Sequence, residues 1–139
     1  NLAQAGVSEY KILKQLQSIT IKDFDCVIVS HTSPNRMHTA YNPLHTSGLH
    51  KDCDFIYEDV KGRLPDVEKF FTEYFDLDYA NYVYNLIHKE ITSLLTDARV
   101  IDTDQLDLKK LFSTDRGEVQ HLSEQANITF YNRLGKHIQ

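Results

Sequence analysis

Three groups of residues in this chain are of types that do chemistry. The first is an acid-rich approach to a histidine, Asp115, Glu118 and His121, with Glu118 three positions before the imidazole. A histidine with a carboxylate partner is the pairing that makes a general base, the acid fixing the ring's tautomer and orientation. The second is Gly6 with Asn35. A glycine N–H can approach a ligand closely and a side-chain amide can donate to an anionic oxygen, the two properties an oxyanion hole needs. The third is a histidine-rich stretch, His31, His38, His45 and His50, followed by Asp52 and Cys53. Those histidines are spaced seven, seven and five residues apart. That spacing matches no compact ligand pattern such as H-E-x-x-H, so the expectation is a polar loop and no metal. A metal-dependent hydrolase built on this loop stays open as a third reading.

The elements that would position these groups follow from periodicity. Ser123 is a good N-cap with Glu124 in the first turn, and Ala126, Phe130, Leu134 and Ile138 recur every four residues as one apolar stripe. His121 is therefore expected at the mouth of an anchored helix, the plain alternative being a surface-loop histidine. Upstream, Asn1–Gln4 reads as the end of a strand running into a turn at Gly6, and Ser8 can cap a helix carrying Ile12, Leu13, Leu16 and Ile19. Cys26-Val27-Ile28-Val29 is a continuous apolar run, expected as a parallel strand buried on both faces. From Ser30 to Cys53 periodicity vanishes, and a loop of that length in a compact domain is uncommon unless it has a function.

Phe55, Ile56 and Val60 predict a short helix, and Asp66–Phe75 a helix with a broad aromatic face. Tyr79, Tyr82, Val83, Leu86, Ile87, Ile91, Leu94 and Leu95 predict the longest and best-buried helix, capped by Asp76 or Asp78. The aromatic richness here is expected to be core and lid packing, not a base-stacking platform. Arg99–Asp102 predicts a second short strand, and Leu106, Leu108 and Leu111 a weak helical turn. Strand ends in a parallel sheet share one edge, which would gather Gly6, Asn35 and His121 there.

Composition sets outer bounds. A chain of 139 residues is expected as a single domain. A net charge of -5 with scattered Lys and Arg argues against a nucleic-acid surface, which needs a dense basic face. No stretch approaches the roughly 20 apolar residues of a membrane span, and no signal peptide is recognised. A cytoplasmic setting is slightly favoured. The two cysteines, Cys26 and Cys53, form no C-x-x-C pair and are expected as free thiols.

Taken in order, Asn-Leu-Ala-x-x-Gly, then a buried strand with an Asn-bearing loop, then acid-x-x-His-Leu-Ser before a last helix, the chain resembles the SGNH (GDSL-type) hydrolases. The resemblance covers most of the chain. It implies a three-layer α/β/α, flavodoxin-like fold with a short parallel sheet, lacking its first strand and helix within these residues. It also implies ester hydrolysis through an acyl-enzyme, on a small-molecule or glycan ester, with no cofactor. Gly6 matches the family's second block, Asn35 the third and His121 the catalytic histidine, with Glu118 or Asp115 as its acid. The third block here reads His-Thr-Ser-Pro-Asn-Arg where the family has Gly-x-Asn-Asp, and the last has Glu118 where the family has Asp. The first block, Gly-Asp-Ser with the nucleophile, has no match. The expectation is a nucleophile upstream of Asn1, in a missing N-terminal segment or partner chain that completes the sheet. The alternative is a non-catalytic binding or structural module on the same scaffold, part of a larger assembly.

Overall fold

The computed structural model describes residues 2–96, 100–103 and 124–136. It mixes helix and strand: α1 (Glu9–Gln17), β1 (Val27–Val29), α2 (Tyr57–Val60), α3 (Pro65–Glu73), α4 (Leu77–Leu94), β2 (Val100–Asp102) and α5 (Glu124–Gly135), with 3-10 turns at Ile21–Asp23 and Gly48–His50. The residues cluster into two compact units. One comprises Asn1–Ile19 and Thr32–Leu94, the other Thr20–His31 and Leu95–Gln139.

In the second unit β1 and β2 pair in parallel, in the register Val27↔Val100, Ile28↔Ile101 and Val29↔Asp102. The expected parallel pair is therefore present. Its burial is not as expected: Val29 is buried, while Ile28 is 48% exposed. A continuous apolar run reads as a strand covered on both faces, but the Ile28 side lacks such cover. Leu2–Gln4 forms no strand among the described residues, because a strand exists only through a hydrogen-bonded neighbour.

In the first unit α1 packs on α4. Leu13 and Leu16 are buried on α1, and Glu9 is buried at its start. His88 of α4 places Nδ1 3.3 Å from Glu9 Oε1, joining the two helices with a polar contact. Pro65 opens α3, where its missing N–H costs nothing and its fixed φ suits the first turn. Of the two candidate caps for α4, Asp76 takes the role, its Oδ1 accepting from the Tyr79 N–H at 2.9 Å. Ser8 precedes α1 without a side-chain cap, and its N–H instead donates to Asp54.

The long helix departs from its expected burial. Ile91 is its one fully buried residue, whereas Leu86 is 48% exposed and Tyr79 and Tyr82 are more than half exposed. Helical period fixes which residues share a face but not how much of that face is covered. Ile91→Ala should therefore cost about 2–5 kcal/mol in urea unfolding, the range for emptying a packed site. Leu86→Ala should stay within about 1 kcal/mol, near the surface range. Equal costs for the two would show that the buried face has been misplaced.

Candidate functional site

The first unit is organised around one buried carboxylate, Asp54, which is fully inaccessible to solvent. Its Oδ2 accepts the Ser8 N–H at 2.6 Å and its Oδ1 the Thr39 N–H at 2.7 Å. Lys11 Nζ lies 2.8 Å from Oδ1, and His38 Nδ1 lies 3.5 Å away. Burial alone would raise this carboxyl. Lys11 and the N–H donors of Thr39 and Ser8 outweigh it and hold the group below its ordinary value.

The same residue fastens the Gly6 turn. Gly6 sits at φ +71°, where a side chain is strained, and a Cβ there would come within 3.0 Å of the Cys53 Cβ. The Gly6 carbonyl accepts from the Asp54 N–H at 2.8 Å and from Arg36 Nη1 at 3.0 Å. Both donors use its oxygen. Its own N–H finds no acceptor among the described residues.

Asn35 sits on a tight turn, Ser33-Pro34-Asn35-Arg36, closed by Arg36 N–H to the Ser33 carbonyl at 3.1 Å. Proline at the second position presets φ for this turn, and the Ser33 hydroxyl accepts the Asn35 N–H at 3.2 Å. Arg36 then reaches from this turn to Gly6, while its Nε donates to Thr32 Oγ1 at 3.3 Å. The turn that carries Asn35 is thus tied to the Gly6 turn through one guanidinium. The Asn35 side chain is exposed and its amide has no partner among the described residues.

An open cavity of about 660 Å³ adjoins this turn, lined by Ser33, Pro34 and Arg36 on one side and by residues of α3 and α4 on the other. Tyr10, Tyr74 and Tyr79 contribute aromatic faces, and Glu9, Arg36 and His38 converge on it as polar groups. Tyr74 and Tyr79 are 66% and 67% exposed, so these two rings border the cavity and are not part of a buried core. Mostly apolar walls with a few converging polar groups are the usual make-up of a ligand cleft.

The chain matches no protein-family model, no curated protein and no solved structure. Its chemistry must be read from its own residues. The proposed base and its acids, His121, Glu118 and Asp115, lie outside the described residues, as do the Ser123 cap and the turn expected near Leu106–Leu111. Gly6 and Asn35 are described, and Arg36, the chain neighbour of Asn35, reaches the Gly6 carbonyl.

Two arrangements were not legible in the sequence. In the second unit His31 Nε2 lies 3.1 Å from Asp102 Oδ1, both side chains more than nine-tenths buried. The pair latches the chain just past β1 to the last residue of β2. His31 stood out as a loop histidine, but nothing local marks Asp102 as its partner. In the first unit His45 Nε2 lies 2.7 Å from Asp59 Oδ2, and the Cys53 thiol falls in the same cluster. Burial pushes that thiol up, the charge of Asp59 adds to the effect, and Arg36 and an Asn42 hydrogen bond oppose it. Asp59 belongs to the next helix, so ligand-spacing rules applied to the loop alone pass over it. No helix among the described residues is long and apolar enough to cross a membrane.

Proposed function

We propose that the chain is an SGNH-like ester hydrolase with a three-layer α/β/α scaffold, cleaving acyl or acetyl esters of small molecules or glycans. The observation that carries this reading is the Gly6–Arg36–Asp54 tie. It joins the turns of two candidate oxyanion donors, whose Gly6 N–H and Asn35 amide have no partner among the described residues, and its Arg36 lines an open cavity. Donors fixed before reaction stabilise developing charge without reorganising, and each such donor is worth about 10²–10³ in rate.

In this reading a serine hydroxyl supplied from outside these 139 residues attacks the ester carbonyl while His121 takes its proton. The tetrahedral oxyanion is held by the Gly6 N–H and the Asn35 amide. Collapse expels the alcohol, which receives the proton from His121, and water then releases the acid by the same steps in reverse order. Glu118 or Asp115 orients the imidazole. The exposed tyrosines along the cavity suit the faces of a sugar ring, whose C–H groups pack on aromatic surfaces. No cofactor enters these steps.

A second reading, a binding or structural module, is favoured by one observation: no Gly-Asp-Ser block occurs in the chain. An imidazole activates a hydroxyl only within about 3 Å. The 139-residue chain alone should accordingly hydrolyse p-nitrophenyl acetate no faster than free imidazole does, with His121→Ala unchanged. Turnover above that background, lost in His121→Ala, would show a nucleophile inside these residues and a wrong alignment of the blocks.

A further inference from the structure

We infer that His45, Cys53 and Asp59 form a binding site for a zinc-class divalent cation. The sequence argued against a metal because the loop histidines have no ligand spacing. The fold instead draws one histidine from the loop, a buried cysteine from its end and an aspartate from α2. Their ligand atoms all lie within 4.8 Å of one another. Nitrogen, sulfur and carboxylate oxygen together are the donor set zinc takes, with metal–ligand distances of about 2.0–2.3 Å. Calcium and magnesium, which want oxygen alone, do not fit it.

The surrounding residues are arranged as outer partners of these ligands. Arg63 Nη1 holds Asp59 Oδ1 at 2.8 Å, which leaves Oδ2 turned to His45. Asn42, itself buried, donates Nδ2 toward Cys53 Sγ at 3.2 Å and toward the Cys53 carbonyl at 3.3 Å. Its carbonyl groups in turn fix the loop, Oδ1 accepting the Leu44 N–H at 3.0 Å and the backbone oxygen the His45 N–H at 3.2 Å. Such second partners orient the ligands of a metal, and losing one typically weakens binding about 10–100-fold. Three protein ligands leave a fourth position for water or for His50, whose ring centre is 5.7 Å from that of His45.

On binding, the Cys53 thiol gives up its proton to solvent as the metal–sulfur bond forms, so affinity rises with pH. Cys53 also packs directly behind Gly6. A bound ion would therefore stiffen the wall against which the Gly6 turn is held, a structural role independent of the ester chemistry.

The test is titration of the reduced, chelator-treated 139-residue chain with cobalt(II), followed by displacement with zinc(II). The site predicts one equivalent, a thiolate-to-cobalt charge-transfer band that disappears in Cys53→Ser, and binding at least about tenfold weaker in His45→Gln and Asp59→Asn. His38→Ala, outside the cluster, should bind as the parent does. Circular dichroism of each variant shows whether it is folded, and the variants of the two half-buried ligands, His45→Gln and Asp59→Asn, carry the test if Cys53→Ser is not. Absence of a charge-transfer band in the folded parent, its persistence in Cys53→Ser, or equal weakening in His38→Ala would each overturn the site.

Discussion

Asp54→Asn should destabilise the first unit by about 3–5 kcal/mol, the cost of removing one partner from a buried charge pair. The carboxylate is an acceptor on every side: the N–H groups of Ser8 and Thr39 and the ammonium of Lys11 all point at it. An asparagine has the same shape but must turn an NH₂ group toward one of those donors, so at least one buried N–H loses its acceptor. Lys11 also loses its counter-charge. Urea unfolding reads the change directly, and a loss below about 1 kcal/mol would mean that these contacts do not organise the fold.

The same contacts set a pH dependence. Asp54 holds its carboxyl below the ordinary value, because Lys11 and the backbone donors outweigh the opposing effect of burial. The unfolded chain therefore takes up this proton at higher pH than the folded one does. The stability Asp54 contributes is complete above the ordinary carboxylate range and is lost as pH falls below about 4 through the lowered value. Parent protein should lose stability steeply on acidification over that range, and Asp54→Asn should lose less. Parallel curves for the two would assign the acid sensitivity to other carboxylates.

What could be read from the sequence depended on whether the signal was local. The β1–β2 pair announced itself in continuous apolar runs, and a cap at Asp76 or Asp78 in a helix-start pattern, of which the fold uses Asp76. The turn at Gly6 was legible because only glycine sits easily at positive φ. Asp54 was not legible: in Lys51-Asp52-Cys53-Asp54 it looks like one more solvated charge. Its role exists only because Lys11 and Ser8, distant in sequence, meet it in the fold. For the same reason Asp102 was unseen as the partner of His31, and Asp59 as the neighbour of Cys53. Leu86 failed in the opposite sense. Its place on an apolar stripe was right, but covering a stripe requires a neighbour, and periodicity names none.

The aromatic stretch carries a related lesson for the site. Tyr74, Tyr79 and Tyr82 occupy helical positions that read as packing, yet they stand in solvent, and the first two border the cavity. A tyrosine is amphipathic enough to serve either way, so its type and spacing leave the choice to the rest of the fold.

The reading as an ester hydrolase is tested most directly on a protein extended by any residues that its gene encodes ahead of Asn1. Hydrolysis of p-nitrophenyl acetate by that protein would be compared with its His121→Ala variant. If His121 is the general base for a serine carried by the added residues, the extended protein should show an acyl-enzyme burst and steady turnover. His121→Ala should then lower that turnover by at least about 10³-fold, because a hydroxyl without its base is a poor nucleophile. An extended protein that folds but shows no turnover, or one whose turnover survives His121→Ala, would contradict the account.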